Sequence, residues 1–166
     1  MKKLLLLFGL LGTITINAQE ADCDQYVTTT TDKVTGQSYT HSNEDFILTN
    51  SDGLEALNII ILKRANGSIA FSLRVLSEVT CIDDKSKMNI LFRDGSRLEL
   101  VNDGKFNCDG RYIQCFGGLC GKKRHLKKMA TLEIETIRIG TLNSFVQFDL
   151  TNEESLQLLN VFKCIS

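Results

Sequence analysis

Apolar and polar residues alternate along two stretches of the chain, and in each the alternation turns back at a glycine. Leu57, Ile59 and Ile61 take every second position up one strand. Ile69, Phe71, Leu73 and Val75 do the same down the next, with Asn66-Gly67 between them. A period of two describes antiparallel strands with one buried face, and the faces decide the loop length. A two-residue Asn-Gly loop sets Ile61 opposite Ser72 and divides the apolar residues between both faces. A three-residue loop, Ala65-Asn66-Gly67, sets Ile61 opposite Phe71, Ile59 opposite Leu73 and Leu57 opposite Val75. Gly67 then takes the left-handed position of a bulged turn, where the absence of a Cβ removes the steric cost. The pattern predicts the longer loop. Met88, Ile90 and Phe92, then Arg93-Asp94-Gly95, then Leu98 and Leu100 repeat the arrangement. Here Phe92 pairs with Ser96, Ile90 with Leu98 and Met88 with Leu100, and Gly95 is the left-handed residue.

Three further patterns extend this reading. Residues 26–31 and 37–41 are rich in threonine and flank a turn containing Gly36, which predicts an exposed hairpin at a sheet edge. Residues 134–139 and 144–150 predict another antiparallel pair, with Val146, Phe148 and Leu150 alternating. Leu126 and Met129, at helical spacing, predict a short helix between Lys122 and Thr131. Thr151-Asn152-Glu153-Glu154 fits a capping box, in which the Thr151 hydroxyl accepts from the first turn and Glu154 reaches back. After it come Leu156, Leu159 and Phe162 at threefold spacing, with Leu158, Val161 and Ile165 widening the stripe. The expected fold is α+β: mostly antiparallel β-hairpins in a meander, with a C-terminal amphipathic helix packed on the sheet.

The first residues have a different character. Lys2 and Lys3 precede an apolar run from Leu4 to Leu11, and small and polar residues then lead to Ala18 and Gln19. A basic start, a short apolar segment and a small residue at the exit predict a secretory signal peptide over residues 1–18, cut after Ala18. The run is too short to span a membrane, which takes about 20 residues. Glu20-Ala21-Asp22 before Cys23 does not fit a lipidation signal. Residues 19–166 are then one α+β domain in the periplasm or outside the cell. The formal net charge is −1, so no global attraction to nucleic acid or to an acidic membrane is expected.

All six cysteines lie beyond the expected cut. An even number in an exported chain predicts disulfides, although sequence alone does not choose the connectivity. Cys115 and Cys120 are near neighbours across Phe116-Gly117-Gly118-Leu119, and Cys164 is placed to tie the last helix to a neighbour. The alternative is a metal site made of Cys108, Cys115, Cys120 and His125, which has ligand types suited to zinc but lacks tight C-x2-C knuckles. No cofactor is otherwise expected.

The run Ile134-Glu135-Thr136-Ile137-Arg138-Ile139, the strand carrying Phe148, the helix ending Phe162-Lys163-Cys164-Ile165 and the hairpin with Phe92, Asp94 and Gly95 also carry a likeness. In these features the second half of the chain resembles small exported proteins of uncharacterised function from Gram-negative bacteria. The resemblance implies a compartment and a fold, and no activity.

Candidate chemistry is sparse. His41 and His125 are the two histidines, and neither lies in a recognisable catalytic motif. Asp83-Asp84 falls in a connection, where adjacent carboxylates do not face each other across a cleft. Asp94-Gly95 is explained by its turn. No C-x-x-C pair marks a thiol oxidoreductase. With no Trp and three Tyr, carbohydrate stacking rests on Tyr26 or Tyr39 alone. The run Lys122-Lys123-Arg124-His125-Leu126-Lys127-Lys128 is a solvated helix face or a patch for an anion or acidic partner. The function expected from these observations is a non-catalytic exported binding or interaction module whose partner is another protein, a class that includes immunity and inhibitor proteins. The alternative is an enzyme or metalloprotein using the Cys108-to-His125 segment.

Overall fold

The computed structural model describes residues 22–77 and 80–166, so the expected signal peptide and its cut after Ala18 lie outside the described residues. The chain forms β1 (Val27–Thr31), β2 (Ser38–Ser42), β3 (Phe46–Thr49), β4 (Ala56–Lys63), β5 (Ile69–Leu76), β6 (Lys87–Phe92), β7 (Arg97–Val101) and β8 (Arg111–Phe116). Helix α1 (Lys123–Met129), β9 (Ile134–Gly140), β10 (Phe145–Asp149) and helix α2 (Asn152–Ile165) follow. The fold is α+β, and every strand pairing is antiparallel. The strands make two sheets. A six-stranded sheet runs β1-β2-β4-β5-β8 with β3 also against β4, and a four-stranded sheet runs β10-β9-β6-β7.

Both central hairpins have the register that the face-matching argument requires. In β4–β5, Ile61 opposes Phe71, Ile59 opposes Leu73 and Leu57 opposes Val75. The loop is closed by the Arg64 amide on the Ser68 carbonyl at 2.8 Å. In β6–β7, Ile90 opposes Leu98 and Met88 opposes Leu100, and the Phe92 amide donates to the Ser96 carbonyl at 3.0 Å. Gly67 and Gly95 have φ of 75° and 81°, the left-handed region in which a Cβ is strained. The threonine-rich pair is the expected exposed hairpin, with β1 at the edge of its sheet.

β2 and β3 occupy successive lengths of the same edge of β4. Thr40 and His41 pair with Lys63 and Leu62, and Phe46 to Thr49 pair with Ile59 to Ala56. In β9, Ile134, Ile137 and Ile139 all face inward despite the odd spacing between the first two. The register shifts between Leu91 and Phe92 of β6, so that Leu91 meets Thr136 and Phe92 meets Ile134. Such an irregularity absorbs one residue and returns the next side chain to the same face.

The inner faces of both sheets meet in one cluster that also takes in both helices. At the start of α2 the Thr151 hydroxyl accepts from the Glu154 amide at 3.2 Å, and the Glu154 carboxylate accepts from the Thr151 amide at 2.8 Å, completing the capping box. The buried face of α2 carries Leu158, Leu159, Val161, Phe162 and Ile165, and Phe162 stands edge-on to Phe71 of β5 at 5.3 Å between centroids. Leu156 is not part of it. Its side chain is 49% exposed, while Ser155 is buried and donates to the Ile134 carbonyl at 2.7 Å. The buried stripe is therefore rotated by one residue from the one that starts at Leu156, with Ser155 turned inward to the Ile134 carbonyl at the start of β9.

Three disulfides join Cys23 to Cys164, Cys81 to Cys108 and Cys115 to Cys120. The first fixes the 3-10 turn at Cys23–Gln25 to the last turn of α2, and one turn earlier the Asn160 side-chain amide donates to the Tyr26 hydroxyl at 3.0 Å. The third closes the loop between β8 and α1.

Candidate functional site

The basic run from Lys122 to Lys128 divides into cations that the fold uses and cations that it leaves free. Lys122 has a left-handed backbone, φ 55°, and its ammonium pairs with both oxygens of Asp103 at 2.8 Å. That carboxylate also accepts from the Cys115 amide at 2.9 Å and from the Gln114 side chain, so it fastens the end of β8. Lys128 lies 4.8 Å above the Phe92 ring and donates to the Arg97 carbonyl at 2.9 Å. Both contacts follow from the way α1 is seated. Leu126 and Met129 point into the core, and Lys123 and Lys127 are exposed on the flank beside Leu126.

On that side lies a groove of about 620 Å³. Its apolar floor comes from Ile69 at the start of β5 and from Leu126 and Ala130 of the α1 segment. One wall is backbone: Gly117 and Gly118, within the Cys115–Cys120 loop, lie against the β4–β5 turn. A Cβ on Gly118 would come within 3.1 Å of the Asn66 carbonyl and the Ser68 amide. This close backbone approach keeps side chains out of the wall and leaves the groove open. Lys123 and Lys127 stand along one rim, and Lys63 at the end of β4 and Lys163 in the last turn of α2 stand on the other. Lys123, Lys127 and Lys163 are in no ion pair among the described residues. The Lys63 ammonium donates at 3.2 Å to a main-chain oxygen of Ser166, the last residue.

A second surface depression, of about 360 Å³, lies on the outer face of the four-stranded sheet and is lined by Asn89, Arg97, Thr136, Arg138 and Gln147. Its groups are largely engaged with one another. Arg138 donates to the Gln147 side chain at 3.0 Å and lies 4.5 Å from the Phe145 ring centroid. The groove beside α1 differs in combining an apolar floor with cations that have no internal counter-charge.

The candidate metal residues are distributed as follows. Cys108 is bonded to Cys81, and Cys115 to Cys120, so none of the three sulfurs is a free thiolate. His125 is half-buried on α1, with Nδ1 enclosed and without a hydrogen-bond partner. Among the described residues no group of three or more His, Cys, Asp or Glu side chains is placed to hold a metal ion. His41 is held in the β1–β2 ladder, its Nδ1 2.8 Å from the Ser42 carbonyl and its Nε2 3.5 Å from the Thr30 hydroxyl. The Asp83 carboxylate is occupied by the Lys85 amide at 2.9 Å and the Ser86 hydroxyl at 3.0 Å. Asp94 accepts from the Ser96 amide at 2.9 Å within its turn.

Lys63, Ile69 and Lys163 carry no local sequence signal for this site, because only the tertiary fold brings them to α1. The chain matches no family model, and no curated protein or solved structure matches it.

Proposed function

We propose that the chain is an exported, non-catalytic module that binds another protein, and that the groove between α1, β5 and the end of α2 is its recognition surface. The observation that carries this reading is the apolar floor framed by Lys63, Lys123, Lys127 and Lys163, the last three of which have no ion-pair partner among the described residues. A recessed apolar centre with a charged rim is the usual anatomy of a protein interface. The rigid setting supports the reading, since the Cys115–Cys120 and Cys23–Cys164 bonds fix two sides of the groove and limit the ordering cost on binding. Three disulfides accord with an oxidising compartment. No described helix is long and apolar enough to cross a membrane. An inhibitor or an immunity protein is one form of such a module.

A photo-crosslinking amino acid placed at Lys127, with Val34 on the far hairpin as control, tests the reading in the native host. A discrete protein adduct from position 127, absent from position 34 and lost when Lys123 and Lys163 are changed to Glu, is the expected result. Equal labelling from both positions, or no adduct at 127, overturns it.

A further inference from the structure

We infer that the groove takes an acidic amphipathic helix of its partner, with an apolar stripe on Ile69, Leu126 and Ala130 and carboxylates on the two lysine rims. The inference rests on the protein-binding reading above and names the chemistry of the bound segment.

Charge complementarity comes first. The chain as a whole carries a net charge of −1, yet Lys123, Lys127 and Lys163 stand around this one floor with no carboxylate paired to any of them. Lys63 is held by an oxygen of Ser166, the last residue, whereas Lys123, Lys127 and Lys163 make no side-chain hydrogen bond among the described residues. A ligand with one carboxylate, such as a free fatty acid, leaves most of this charge unanswered. A segment with several carboxylates answers it.

The shape then selects among polyanions. A membrane surface is flat, and here the apolar residues are recessed below the lysines: Ile69 is 2% exposed and Leu126 8%. The ammonium groups would meet the headgroups while the floor stayed clear of the acyl chains. Single-stranded nucleic acid binds through aromatic platforms, and the floor has none. What fits is a body that pushes apolar side chains down between two charged rims.

Backbone geometry selects the helix over the strand. Strand addition needs an open sheet edge, but Ile69 lies on β5, which is paired with β4 on one side and β8 on the other. No ladder is open at the floor, so contact is made through side chains, as when a helix lies in a groove. The rim repeats the helical period. Lys123 and Lys127 are four residues apart on α1, which sets their Cβ atoms about 5–6 Å apart. Carboxylates at i and i+4 on a helix lying alongside have the same spacing.

The test pans a random peptide display library against the mature disulfide-bonded chain, with the Lys123→Glu/Lys127→Glu variant as the counter-selecting protein. Circular dichroism and melting of the variant first establish that it folds as the parent does; if it does not, Lys123→Gln/Lys127→Gln replaces it. The expected winners carry Asp or Glu at i and i+4 on one side of an apolar i, i+3, i+7 stripe. They bind the parent at least about tenfold more tightly than the variant, and more weakly as salt rises. Binding should shift the NMR methyl signals of Ile69 and Leu126. Winners that are neutral or basic, that alternate with a period of two, or that bind parent and variant equally overturn the inference. So does preferential binding of phosphatidylglycerol vesicles, measured in parallel. A crosslinked protein at position 127 alongside such winners would remove the acidic helix and leave the protein-binding reading standing; expected winners without any crosslinked protein would do the opposite.

Discussion

The Tyr112 hydroxyl on β8 donates to the Leu100 carbonyl on β7 at 2.8 Å, a fully buried hydrogen bond that ties the edge of one sheet to the edge of the other. Tyr112→Phe keeps the ring and removes the donor. The expected loss is about 1 kcal/mol, read as a lower urea midpoint with an unchanged slope, since the surface exposed on unfolding is the same.

The same residue sets the alkaline limit. Burial, reinforced by the charges of Asp103 and Glu99, pushes the Tyr112 phenol well above its ordinary 10.0. A group whose folded value is raised contributes fully below the unfolded value, and that contribution is lost as pH rises from about 10 toward the folded value. Tyr112 should therefore ionise together with unfolding. A tyrosinate absorbance step that coincides with loss of circular dichroism, and is missing in Tyr112→Phe, is the expected result.

On the acid side, the loop carboxylates of Asp83 and Asp32 are among three, with Asp94, that are held below their ordinary 3.8. Asp83 is lowered first by the Ser86 hydroxyl, and Asp32 first by the Thr35 amide and then by that of Val34. Depressed values contribute stability above the unfolded value and lose it as pH falls through the folded one. Stability should decline below about pH 4. Carboxyl NMR titration should place both midpoints under those of the urea-unfolded chain. Midpoints equal to the unfolded ones would refute the assignment.

The three disulfides differ most in the span they close: 141, 27 and 5 residues. Chain entropy assigns about 5 kcal/mol to Cys23–Cys164, about 3.5 kcal/mol to Cys81–Cys108 and about 2 kcal/mol to Cys115–Cys120. Paired Cys→Ser variants should melt in that order, the first lowest. Equal melting temperatures for the first and third pairs would contradict it.

Leu156 and Leu158 are two residues apart on α2 with opposite surroundings, 49% and 1% exposed. Leu156→Glu should change stability by no more than about 0.5 kcal/mol. Leu158→Ala should cost about 2–5 kcal/mol through the cavity it leaves. Comparable losses in chemical denaturation would mean that the buried face of the helix is assigned wrongly.

That helix also shows how much of the fold was legible in the sequence. Its capping box and its existence were, because both are local. Its exact face was not, because Ser155 is drawn inward by the Ile134 carbonyl, a partner 21 residues away. The two central hairpins were legible down to register, since face matching across a short loop leaves one solution. β8 was not. Its inward positions are Tyr112, Gln114 and Phe116, and the buried Gln114, bonded to Asp103, breaks the apolar alternation. The division into two sheets was equally hidden, because β5 pairs with β8 and β6 with β9 across long stretches of intervening chain. For the candidate site, the sequence displayed the lysines of α1 but not which of them Asp103 and Phe92 occupy, nor that Lys63 and Lys163 face the others.

The bond between Cys23 and Cys164 makes the chain from one to the other a covalent ring. A single peptide cleavage anywhere between them opens the ring without releasing a fragment. The product is a nicked molecule whose new ends lie at the cut, in effect a circular permutant, still joined through the sulfurs. A protease must cut such a ring twice before any piece can diffuse away. A loop opened by a first cut still leaves the strands of both sheets tethered to one another, and able to re-pair.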